Sequence, residues 1–191
     1  MTSSEPAAGE ARTVVAAGSG VDAAPAGSPY DEVDRLVAAW QRERPDLDVA
    51  PLEILSRVTR LARHLDRARN EAFAAHGLDG WEFDVLAALR RAGPPYALSP
   101  GQLVTETLVT SGTMTNRLDR LERRGLVART PDPRDRRGVR VRLTGNGRIR
   151  VDGALADLLA VQRRILAAIP PEQHGQLADA LRTLNGPFDR S

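Results

Sequence analysis

Cysteine is absent from this 191-residue chain, and lysine is absent too, so that all 27 basic side chains are arginine. Without thiols there are no disulfides and no thiolate zinc sites, and a reduced compartment is permitted. No apolar run approaches the roughly 20 residues of a membrane span, and no basic start followed by an apolar core opens the chain. Cytoplasm is the expected compartment. Catalytic signatures are missing as well: there is no nucleophile elbow, no phosphate loop and no metal-binding cluster. Ser111 with Gly112 lies on a basic stretch without a nearby histidine base, and His64 and His76 have no cysteine beside them. An enzyme is therefore not expected, nor a metal site or a cofactor.

What the chain does have is arginine in one place. Between Arg117 and Arg150 twelve arginines stand against Asp119, Glu122, Asp132 and Asp135, a net charge of +8 in a protein whose total is +2. The remainder carries −6, and a cationic element on an anionic protein focuses its field where a polyanion docks. A solvated charged helix with ordinary pairs such as Asp119 with Arg123 would need many more acids.

The local pattern around that charge reads as a helix, a turn, a longer helix and a hairpin. Ser99 is suited to cap, Pro100 to open a helix and Gln102 to close a capping box. A second helix from Thr110 or Ser111 to Arg124 puts Met114, Leu118 and Leu121 on one face, with Gly125 placed for a left-handed end. Its other face offers Thr113, Thr115, Asn116, Arg117 and Arg120, short hydrogen-bonding side chains and guanidinium groups suited to base edges and phosphates. Two β-rich segments follow, Leu126 to Arg129 and Val139 to Leu143, joined by a Pro-, Asp- and Arg-rich turn. The expected contacts to duplex DNA are Ser111, Thr113, Thr115, Asn116 and Arg120 on the helix, and Arg136 and Arg137 at the hairpin tip, directed to an adjacent minor groove.

Elsewhere the chain reads as helices around this reader. Residues 1–29 are Ala, Gly, Ser and Pro with a few acids, an expected disordered tail. Residues 30–51 form an additional helix and linker, with Val33, Leu36, Val37 and Trp40 on one stripe, where Trp40 serves equally well as a core anchor. A long helix over about 52–76 carries Ile54, Val58, Leu61 and Leu65, and a shorter one carries Trp81, Val85, Leu86 and Leu89. Beyond the hairpin, Thr144 caps a helix to about Ile169, and a last helix follows Pro170 and Pro171. The expected division is a winged DNA-binding domain over 81–144 and a helical dimerisation region over 52–80 and 145–191. Pairing of two such chains would present two reading helices about 34 Å apart to successive major grooves. The same apolar seams would also serve a monomeric bundle.

The run LVTSGTMTNRLDRLERRGLVARTPDPRDRRGVRVRLT resembles the MarR family of winged-helix regulators, and the resemblance extends over about Tyr30 to Leu184. It implies a mainly α, winged helix-turn-helix fold with a two-stranded β-wing and N- and C-terminal dimerisation helices. It also implies a homodimeric repressor of a palindromic operator. With Trp40 in an additional helix and GWEFDVLAALRRAGPPYALSPGQL further on, the chain is similar to the branch that responds to urate, xanthine or aconitate-type anions. The ligand-binding positions this similarity implies are Trp40, Asp84, Arg117 and Arg129, with Asp84 and Arg117 paired in the absence of the anion.

Overall fold

The starts of four helices in this chain carry side chains that accept from the free N–H groups of the first turn. The computed structural model describes residues 30–132 and 138–188. The expected tail, 1–29, and the hairpin-tip positions Arg136 and Arg137 lie outside the described residues. Helix α1, Glu32–Glu43, starts at Asp31, whose carboxylate accepts from the Val33 and Asp34 amides at 2.7 and 3.0 Å. Helix α2 spans Ala50–Ala74 and α3 spans Gly80–Arg91. The short strand β1, Ala97–Leu98, leads into α4, Pro100–Thr107. There Ser99 and Gln102 complete the reciprocal box, at 3.2 and 2.9 Å, which offsets two otherwise unpaired amides. Helix α5, Ser111–Arg123, is capped by the Thr110 hydroxyl, and α6, Gly145–Leu166, by that of Thr144. Strands β2, Val127–Pro131, and β3, Val139–Leu143, form the hairpin between them. A 3₁₀ turn at Pro171–Gln173 precedes α7, His174–Asn185.

The chain divides into two units, residues 1–56 and 57–191. In the first, Val33, Val37, Val49 and Leu52 make a small apolar cluster. Of the stripe expected in α1, Val33 and Val37 are buried, whereas Leu36 and Trp40 are 42% and 47% exposed. Trp40 is thus no core anchor of its own unit.

In the second unit the core gathers Phe73 from α2, Val85, Leu86 and Leu89 from α3, Leu103 from α4, and Met114, Leu118 and Leu121 from α5. Val127, Val141 and Leu143 close it from the sheet, and Val151 and Ala154 from α6. Phe73 and Phe83 stack at 3.9 Å between centroids, joining the end of α2 to α3. The expected two-stranded wing is present and gains a third strand, in the antiparallel order β1-β3-β2. Register pairs Val127 with Leu143 and Arg129 with Val141 on one side, and Leu98 with Val141 on the other. Two residues are too short to display the alternation that marks a strand, so β1 is invisible in sequence.

Two glycines are required where the recognition elements join. Gly125 ends α5 at φ +65°, a conformation costly for residues with a Cβ. Gly147 lies so near the start of β2 that an added Cβ would stand 2.1 Å from the Leu126 carbonyl oxygen.

Candidate nucleic-acid interface

Helix α5 owes its two faces to its sequence. Met114, Leu118 and Leu121 are at most 1% exposed and fasten it to the core. Ser111, Thr113, Thr115, Asn116 and Arg120 are exposed, and Arg117 is half-buried. The five described residues expected to meet DNA therefore share the outward side. Thr110 donates its hydroxyl hydrogen to Thr113 Oγ1 at 2.9 Å, and Thr115 donates to the Ser111 carbonyl at 3.1 Å. Asn116 has its amide open to the surface.

Each arginine of this segment has a distinct environment. Arg129, on β2, reaches back to α5, donating to Asp119 at 2.6 Å and to Glu122 at 3.1 Å, and its own amide donates to Glu122 as well. The wing is thereby tied to the helix it follows. Arg124, just past α5, donates to Glu82 and, at 2.5 Å, to the Gly77 carbonyl. Glu82 is wholly buried at the first turn of α3 and also accepts the Asp79 amide at 3.0 Å. A buried carboxylate demands such partners. Arg117 and Arg120 instead stand over the Trp81 ring, 5.3 and 4.8 Å from its centroid. Arg120 approaches Asp79 at 3.6 Å as well.

The pairing of Asp84 differs from the expected one. Its carboxylate accepts from Arg69 of α2 at 2.5 Å, while Arg117, one helix away, lies against Trp81. Arg69 sits four residues before Phe73 on α2 and also covers that ring at 5.3 Å, so α2, and not α5, supplies the cation for Asp84. A cleft of about 180 Å³ borders Asp84, with Arg91, Glu106, Thr107 and Leu108 around it. Neither Arg117 nor Arg129 lines that cleft. The structure thus leaves Asp84, Arg117 and Arg129 in three different settings. Trp40 belongs to the other unit of the chain.

Behind the interface α3 is bound to α6. Arg90 donates to Asp152 at 2.8 Å, and the Asp152 carboxylate raises the guanidinium above its ordinary range. Arg150 of α6 donates to the His76 carbonyl at 3.0 Å, while the His76 ring meets Asp157 at 2.7 Å. The turn joining α2 to α3 is therefore held from both sides, by Arg124 and by Arg150. Sequence reasoning missed Trp81, Glu82 and Arg124. For Glu82 a signal existed, since Asp79 followed three residues later by a glutamate is a capping-box pattern.

Comparison with known proteins places this geometry. A MarR family profile matches residues 76–138, from just after α2 to just before β3. The transcriptional regulator PecS of Dickeya dadantii is 39% identical over 148 residues, which is 78% of this chain and 89% of the relative. The chain belongs to the MarR family. It is a DNA-binding winged-helix transcriptional regulator rather than an enzyme, and it stands on the PecS-like side of the family. Among solved MarR-like folds, the YusO protein of Bacillus subtilis has a TM-score of 0.61 and 26% identity, covering 73% of this chain and 99% of that one. BpsR of Bordetella bronchiseptica, whose DNA binding is regulated by 6-hydroxynicotinic acid, has a TM-score of 0.50 and 28% identity, over 68% and 98% of the two chains. No helix among the described residues is long and apolar enough to cross a membrane.

Proposed function

We propose that this MarR-family regulator is a repressor that binds a palindromic promoter operator as a homodimer. On this reading a small anionic metabolite of the urate, xanthine, aconitate or citrate class releases it. The observation that carries the reading is the state of two arginines, Arg117 of α5 and Arg129 of β2: Arg117 meets no carboxylate within 4 Å among the described residues, and Arg129 joins wing to helix through two carboxylates of α5. An anion that drew Arg117 and Arg129 to itself would compete with Asp119 and Glu122 and loosen the wing from the reading helix. Asp84 is the further position of this unit at which we expect it to be met. Such a ligand acts only if it binds the DNA-free form more tightly, and coupling of this kind is typically about 1–3 kcal/mol. That BpsR responds to an aromatic carboxylate supports an anion as the effector class.

For the duplex itself, Ser111, Thr113, Thr115, Asn116 and Arg120 form the major-groove surface, and Arg136 and Arg137 the minor-groove contact of the wing. A gel-shift series with promoter fragments at increasing salt tests this: binding that weakens steeply with salt is expected, and no binding even in dilute buffer would refute it. Titration of urate, xanthine, aconitate and citrate into the complex then tests release. In Arg117→Ala the released fraction should fall sharply; undiminished release at equal fold stability would remove Arg117 from the effector site. A second reading is favoured by the Asp84–Arg69 pair: a DNA-binding regulator without an effector, in which that pair only braces α2 against α3. It predicts that all of these anions leave the complex intact.

A further inference from the structure

Among the described arginines from α5 to β2, two share one indole, whereas Arg123, Arg124 and Arg129 donate to oxygens. Arg124 and Arg129 are engaged by carboxylates, which take up N–H groups. Arg117 and Arg120 are engaged by the Trp81 ring, with their guanidinium carbons 5.3 and 4.8 Å from its centroid. A ring face attracts the cation as a whole and accepts no conventional N–H···O bond, so the five donors of each guanidinium stay available to oxygen acceptors. Asp79 competes weakly for Arg120, at 3.6 Å with both side chains more than half exposed.

We propose that Trp81 is a positioning residue for DNA binding: its ring holds Arg117 and Arg120 in the poses from which they reach the duplex, without consuming the groups that do the reaching. This rests on the reading of α5 as the DNA-reading helix, and it gives Arg117 a contact to the duplex besides its effector role, one that an anion would displace. Three further features fit. Trp81 follows directly after the N-terminal residue of α3 and is half-buried against the core, so its ring is fixed by packing rather than by the arginines. Its neighbour Glu82 anchors Arg124, so two successive residues of α3 hold the middle and the end of α5. Finally, an unheld arginine loses much rotamer freedom when it docks, and a platform that limits this freedom beforehand strengthens the docked state.

The test compares Trp81→Phe, which keeps a π face, with Trp81→Leu, which fills space without one. Fluorescence anisotropy of the full chain is measured against a duplex selected by the wild-type protein from a random library, over a range of KCl, beside thermal melting. Losing the preorganisation of two rotamer-rich side chains corresponds to a loss of about tenfold in affinity for Trp81→Leu, with Trp81→Phe within about threefold of wild type. The salt slope should stay unchanged in both, because the arginines still meet their phosphates. In the background of Arg120→Ala, Trp81→Leu should lose clearly less than it does alone. Equal affinities of the Phe and Leu variants, or fully additive losses, would overturn the proposal. Trp81→Met gives a second π-free side chain if Leu lowers the melting point. Wild-type protein that binds no duplex at all would overturn the DNA-reading assignment instead, and is told apart by that control.

Discussion

Leu108 and Gly147 show how single residues bear on the reading element from opposite directions. Leu108 ends α4 in a left-handed conformation, φ 52°, with 93% of its surface exposed. It carries the strain of a Cβ there and gains almost no packing in return. Replacement by glycine relieves about 1–2 kcal/mol of left-handed strain against a chain-entropy cost of about 0.5–1 kcal/mol. Leu108→Gly should therefore raise stability by about 0.5–1 kcal/mol, read as a higher denaturation midpoint; a lower midpoint would mean that Leu108 makes a contact outside this chain's own fold. Gly147→Ala should do the reverse. A Cβ placed 2.1 Å from a backbone oxygen cannot be relieved by turning a side chain, so a loss of about 2–3 kcal/mol is expected in the same measurement.

Among elements, α5 is the most legible in sequence and the most dependent on its neighbours for its work. Its cap at Thr110, its buried stripe and its glycine end follow from residue types at helical spacing, and the structure has each of them. What spacing cannot reveal is which body carries the arginines. A carboxylate four residues away on the same helix is visible in the sequence, whereas Trp81 is separated from Arg117 by two turns and a helix. Asp84 illustrates the same limit, since α2 and α5 both offer it an arginine and only packing chooses Arg69. Within α5, Asn116 and the arginines should behave differently. Asn116→Ala is expected to change which duplexes are preferred, because an amide reads a base edge by a paired hydrogen bond worth about 1–3 kcal/mol. Selection from a random library by wild type and variant measures this, and the same selected sequences from both would assign Asn116 to the phosphate backbone.

At the scale of the molecule, apolar surface left over by the single chain is the informative feature. Leu155, Leu159 and Leu166 of α6 and Leu181 and Leu184 of α7 are each 37–49% exposed, although their spacing is that of a buried seam. α7 has no buried residue at all. A homodimer built on these helices is the arrangement we propose, and it makes one sharp demand. Leu159→Glu should yield monomers in sedimentation velocity and lose operator affinity by far more than one contact is worth, because the second reading helix goes with the partner. A variant that stays dimeric would place the interface on other helices.

The sequence alone determined which stretches are helical, the faces of α5, the wing hairpin and the cationic segment, because caps, periodicity and charge are local properties. It also determined the family, whose motif runs through one continuous stretch. Only the tertiary structure decided that the wing sheet has a third strand, that Asp84 pairs with Arg69, and that Trp81 underlies Arg117 and Arg120. Those are choices among chemically equivalent partners distant along the chain, and only the packing of helices on a shared core brings one of them within reach.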